Sequence, residues 1–164
     1  TCADLGYVGG DLGCSPGCSL DASQCVSDSS LAINELESTE DNIELYNAGA
    51  QPLDVSGWIL TDDAVDPNYD PMADLEKLVF PAMTTIAAKQ FLVVAKGVGP
   101  GQHPFGLSAS GDTVTLLRAD LTIVDQVTYA ADQAVSSYCR LPDGPAGAWT
   151  VGCQPSFGAA NKGP

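Results

Sequence analysis

The chain has 164 residues, 45% of them hydrophobic, with 21 acidic against 6 basic side chains and a net charge of −15. That length suits one full core with a small appendage, and no run approaches the ~20 consecutive apolar residues that span a bilayer. The charge repels phosphate backbones, whose binding needs clustered Lys and Arg, so nucleic acid is excluded as an expected partner.

Residues 1–29 contain no Lys or Arg and are dominated by Gly, Ser, Asp and Cys. Cys2, Cys14, Cys18 and Cys25 crowd this segment, while Cys139 and Cys153 stand near the end. An even count split into four and two reads as three disulfides of an oxidising, extracellular setting. Zinc is the alternative for the cluster, but the spacing lacks C-x₂-C knuckles and no histidine is near. The four N-terminal cysteines are expected to pair among themselves, in one of three ways, and Cys139 with Cys153. A segment this short cannot bury enough surface to fold without staples, so residues 1–29 are expected to form a cysteine-rich disulfide module. Thr1-Cys2-Ala3-Asp4-Leu5-Gly6, Gly9-Gly10, Cys14, Cys18, Asp21 and Cys25 resemble short cysteine modules of secreted myxobacterial proteins, which implies an exported bacterial product. Neither a charged n-region before an apolar h-region nor a lipidation motif is present, so an export signal is expected to have been removed already.

From about Ser30 the pattern changes to short runs of β-branched, aromatic and aliphatic residues, broken every ten or so positions by Gly, Pro, Asn and Asp. Strands are predicted at Leu31–Leu36, Asn42–Asn47, Val55–Thr61, Lys77–Phe80, Gln90–Ala95, Thr113–Leu117, Ile123–Tyr129 and Val135–Leu141. Apolar and polar residues alternate through Thr113–Leu116 and Val124–Tyr129, as burial of one face requires. The only helical spacing is a weak one around Met72–Leu78. Eight short strands separated by turn signals predict an all-β sandwich over residues 30–164, with Trp58 as its central aromatic.

Ile43-Glu44-Leu45-Tyr46-Asn47 followed by Leu53-Asp54-Val55-Ser56-Gly57-Trp58-Ile59-Leu60 resembles the signature of the lamin-tail domain. Asn34-Glu35-Leu36, Phe80-Pro81, Phe91-Leu92-Val93-Val94-Ala95, Phe105-Gly106-Leu107-Ser108, Ser110–Leu116, Val124–Tyr129, Arg140-Leu141-Pro142-Asp143-Gly144, Trp149 and Pro155–Asn161 look like further elements of that domain in their usual order. The resemblance covers about residues 30–162 and implies an immunoglobulin-like β-sandwich acting as a non-catalytic module. In animals such modules end the coiled coil of nuclear lamins, and in bacteria they sit on secreted and surface proteins. No heptad repeat is present here, so the nuclear roles are not carried over.

Catalytic constellations are sparse. His103, the single histidine, lies in a Gly- and Pro-rich loop and is expected to be exposed there, and Gly106-Leu107-Ser108-Ala109-Ser110 lacks the last glycine of a nucleophile elbow. No pair among the 21 acids is singled out by an apolar surrounding that would raise one pKa. The chain is therefore read as no enzyme. Asp66, Asn68, Asp70 and Asp74 fall at positions one, three, five and nine of an EF-hand-like frame, but Pro71 replaces the turn glycine and Lys77 the bidentate Glu. A true EF-hand is excluded, and a looser calcium site on those four residues is the one cofactor expectation.

These readings converge on a secreted, non-catalytic structural or interaction protein. It is expected to self-associate as an oligomer or extracellular filament subunit, or to attach to the cell surface or matrix, through the edges of its sandwich. The alternative is a calcium-dependent accessory module that binds a glycan or matrix ligand.

Overall fold

A computed structural model describes residues 1–17 and 19–164. Among the described residues, the N-terminal module holds a 3₁₀ turn at Ala3–Leu5, a second at its end (Asp28–Ser30) and four two-residue strands: β1 (Gly9–Gly10), β2 (Gly13–Cys14), β3 (Leu20–Asp21) and β4 (Cys25–Val26). β1 pairs with β4 and β2 with β3, both antiparallel. Glycines and short polar residues bury almost nothing here, and the staple is covalent: Cys2 and Cys25 are bonded across 23 residues, with Cys2 buried. The pairing expected of Cys14 and Cys18 lies outside the described residues, because Cys18 is not among them. Val8 and Val26 pack on the main core, and Asp28 forms an ion pair with Arg118, so the module is fastened to the sandwich.

The main body follows as β5 (Leu31–Glu37), β6 (Asn42–Asn47), β7 (Leu53–Asp54), β8 (Ile59–Thr61), β9 (Leu78–Val79), β10 (Thr85–Ile86), β11 (Phe91–Val94), β12 (Gly111–Leu117), β13 (Ile123–Ala130), β14 (Tyr138–Leu141) and β15 (Ala148–Val151). One sheet has the order β11-β6-β5-β14-β15, the other β13-β12-β8-β9, and β7 pairs with β10 in a separate ribbon. The inward faces enclose a core that includes Ile33, Leu36, Ile43, Leu45, Trp58, Leu60, Phe80, Phe105, Val114 and Leu116. This is the two-layer solution that alternating strands demand.

Strand limits differ from the predicted ones where local backbone chemistry intervenes. Strand β8 starts at Ile59 and not Val55, because Asp54 Oδ1 accepts from Ser56 N and Gly57 adopts φ +75°, turning the chain before Trp58. The weak helical spacing at Met72–Leu78 yields no helix: Asp66, Asp70 and Asp74 each accept backbone N–H groups two or three residues ahead, which makes turns instead. Strand β14 begins only at Tyr138. The ribbon β7–β10 and the hairpin strand β15 lie outside the predicted strand limits.

Strand β5 is buried along its whole length. Its inner residues face the core, while its outer face is covered by the C-terminal segment that follows Cys153. The β5–β6 register slips between Ile33 and Glu35, and beyond that bulge Glu35 lies directly opposite Glu44. Cys139 of β14 is bonded to Cys153, which fixes where that segment begins.

Candidate functional site

The acidic loop between β8 and β9 is shaped by its own carboxylates. Asp66 and Asp70 are exposed, and each binds a backbone N–H of the loop, that of Asn68 at 2.7 Å and that of Met72 at 2.9 Å. Asp74 turns inward: its Oδ2 accepts from Thr61 Oγ1 at 2.9 Å and Tyr69 Oη at 2.8 Å, and its Oδ1 from Glu76 N and Lys77 N. Partial burial pushes the Asp74 carboxyl up, but these donors outweigh it and hold the group below its ordinary value. Burial, and then the same carboxylate, push the Tyr69 phenol well above its ordinary range. The four residues of the EF-hand-like frame are thus not drawn to one point, and among the described residues no group of three or more His, Cys, Asp or Glu is arranged to hold a metal ion. A cation on Asp74 would have to compete with Thr61 and Tyr69.

The acids that do crowd together are neighbours of that frame. Asp62, at the end of β8, borders a shallow hollow of about 420 Å³ lined also by Asp112, Thr113, Thr128 and Tyr129. Burial, and then the charges of Asp112, Asp63 and Asp74, push the Asp62 carboxyl up to about 6. Tyr129 is 2% exposed and its phenolic oxygen has no hydrogen-bond partner among the described residues. Nothing in the linear spacing marks Asp62 and Asp112, because β12 brings them together across fifty residues.

His103 corrects the expectation of an exposed loop histidine. It is fully buried, with Nδ1 3.1 Å from Phe105 O and Nε2 2.7 Å from Asp41 O, and its ring stacks on Phe105 at 4.1 Å between centroids. Burial lowers its pKa, although both carbonyls act to raise it. The imidazole is a structural tie between the β5–β6 turn and the loop before β12. Trp58 is buried in the core, whereas Trp149 lies at its margin, stacked on Tyr138 and beneath Arg140 at 4.9 Å. Arg140 in turn is ion-paired to Asp125 of β13 at 3.1 Å.

The sheet edges differ in how they are closed. Strand β13 is fastened to the opposite sheet, since Asp125 accepts from Ile33 N at 2.9 Å and from Arg140. Strand β9 is only two residues long, and β15 ends two residues before the bonded Cys153. Strand β11 is the exception. It pairs with β6 on one side alone, and its four residues, Phe91-Leu92-Val93-Val94, are all apolar, with Val93 39% exposed. Lysines at 89 and 96 flank it, and Lys96 is held by Asp41 at 2.8 Å.

No helix among the described residues is long and apolar enough to cross a membrane. No curated protein matches the chain. The lamin tail domain family model matches residues 26–131, which takes in β5 to β13 with the edge strand β11 and the acidic loop, and the chain therefore belongs to the lamin tail domain family.

Proposed function

We propose that this protein is a secreted, non-catalytic structural or interaction protein that associates with copies of itself, or attaches to a cell surface or matrix, through an open edge of its lamin-tail sandwich. The lamin tail domain is a non-catalytic, immunoglobulin-like domain often found in structural and interaction proteins. The observation that carries the proposal is β11: an edge strand of four consecutive apolar residues, paired on one side only, is a template for strand addition. The two disulfides, Cys2–Cys25 and Cys139–Cys153, support an oxidising compartment and hence secretion, here from a bacterium in keeping with the N-terminal cysteine module.

The test is the assembly state of the full oxidised chain by sedimentation velocity and electron microscopy across a concentration series. Wild type is expected to form regular oligomers or filaments, and Val93→Lys, which places a charge on the open edge, to stay monomeric with unchanged circular dichroism. Strictly monomeric wild type at millimolar concentration would overturn self-association, and unchanged retention of Val93→Lys on producer cell surfaces would overturn attachment through this edge.

The calcium-dependent alternative rests on the crowding of Asp62, Asp63, Asp74 and Asp112, whose mutual repulsion a divalent cation would relieve. It calls for a Tm that rises in millimolar calcium and loses that rise in the triple change Asp62→Asn, Asp63→Asn, Asp112→Asn. An unchanged Tm of wild type in calcium counts against it.

A further inference from the structure

Strands β5 and β6 place two glutamates face to face. Glu35 and Glu44 are register partners, so their side chains leave the sheet on the same side, and both are fully buried. A third acid joins them: Asn34 Nδ2 donates to Glu44 Oε1 at 2.9 Å and to Asp143 Oδ1 at 3.0 Å. Like charges opposite one another on a sheet are unfavourable, and burial makes Glu44 more costly to ionise. Among the described residues no lysine or arginine lies within ion-pair distance of any of the three.

What covers the pair is the C-terminal segment. Ser156 donates to Glu35 through N at 3.1 Å and Oγ at 3.2 Å, Gly158 N donates to Glu44 Oε2 at 2.6 Å, and Asn161 N donates to Asp143 at 3.0 Å. Asn161 Nδ2 also donates to the carbonyls of Asn34 and Arg140, and Ser137 Oγ completes the set on Glu35 at 2.6 Å. The segment contributes no buried apolar side chain after Cys153. Apart from the half-buried Phe157, which with Pro155 borders Val135, its attachment is polar, made to carboxylates that it removes from water, and it begins at a disulfide.

We propose that residues 154–161 form a proton-coupled strap: seating it over Glu35 and Glu44 takes up a proton, and the strap lifts from the β5–β6 face as pH rises through neutrality. The sign follows from linkage. With the strap seated, burial pushes the Glu44 carboxyl up to about 7, against the lowering effect of Asn34 and Gly158 and with the charges of Glu35 and Asp143 adding to the rise. With the strap lifted, water reaches Glu44 and its pKa falls back toward the ordinary value near 4.5. The seated state therefore binds more protons between those two values, and acid favours it. Around Glu44, the titratable groups are Glu35 on β5 and Asp143 in the β14–β15 turn; the Arg140 guanidinium on β14 is turned to Asp125, and Lys162, just beyond the strap, is exposed. Lifting bares an acidic groove of Glu35, Glu44 and Asp143 on the five-stranded sheet.

Amide hydrogen exchange on the full oxidised chain, corrected for intrinsic rates, tests this. The N–H groups of Ser156, Gly158 and Asn161 are expected to lose more than tenfold of their protection between about pH 5.5 and pH 8, at tenfold per unit of linked proton release, while β5 and β6 keep theirs. In Glu44→Gln the change should shrink to within about twofold. Equal protection of the wild-type strap at both pH values, simultaneous loss across β5 and β6, or full pH dependence in Glu44→Gln each overturns the proposal. Should Glu44→Gln fail to fold, carboxyl NMR titration of wild type decides: a Glu44 midpoint near its ordinary value sinks it, and one near neutrality supports it.

Discussion

At the residue scale, the polar groups inside this sandwich govern its response to pH and to substitution. Tyr129 carries a buried phenol with no partner, and a buried unsatisfied polar group costs about 1–3 kcal/mol. Tyr129→Phe is therefore expected to stabilise the protein by about 1 kcal/mol, read as a higher urea midpoint at unchanged slope. Glu44 and Asp62, raised to about 7 and 6 from 4.5 and 3.8, bind protons in the folded state that the unfolded chain has released. Their contribution to stability is fully present below the unfolded values and is lost as pH rises through 6 and 7. Asp4, Asp21, Asp54, Asp74 and Asp120 are shifted the other way by hydrogen bonds, and their contribution is lost as pH falls below the ordinary carboxylate range. Urea unfolding should accordingly show stability falling from about pH 6.5 to about pH 8, above the range in which the lowered His103 titrates, and Glu44→Gln should reduce that fall. Equal midpoints at the two pH values would contradict the assignment. None of these roles was legible locally: Glu44 reads as one polar residue in an alternating strand until the bulge in β5 sets Glu35 opposite it.

At the scale of the element, covalent and backbone devices do what short strands cannot do alone. Strands β14 and β15 pair over four residues each, and the bond between Cys139 and Cys153 closes the hairpin across 14 positions. A loop of that size contributes about 3 kcal/mol in the chain-entropy account. Replacing both cysteines by Ala should lower Tm by roughly 10 °C in a scanning calorimeter, with little change if the hairpin held by packing alone. The longer strands, β5, β6, β12 and β13, stand close to their predicted limits because runs of β-branched, aromatic and aliphatic residues bounded by turn residues mark both ends. The two-residue strands β7 and β10 carry no such pattern. They exist because loops that pass the core pair their backbones where they meet.

At the scale of the whole molecule, charge and topology set the terms of association. A net charge of −15 makes two copies repel, so any joining at β11 works against long-range electrostatics. Self-association is expected to tighten at least tenfold between about 20 mM and 500 mM NaCl, measured by sedimentation equilibrium, as the screening length shrinks. A salt-independent constant would point to an interface remote from the acidic surface. Composition, period-two alternation, turn residues and cysteine count were enough to determine an all-β, disulfide-bonded, strongly acidic chain, because those properties depend on residue type and near-neighbour order, and the lamin-tail reading came from the resemblance of its ordered motifs to that family. Tertiary structure alone decided that His103 is buried, that Asp62 meets Asp112, that β11 keeps an open edge and that the C-terminal segment seals a pair of glutamates. Each of these depends on contacts between residues far apart in the chain, where burial and proximity, not residue type, set the energy.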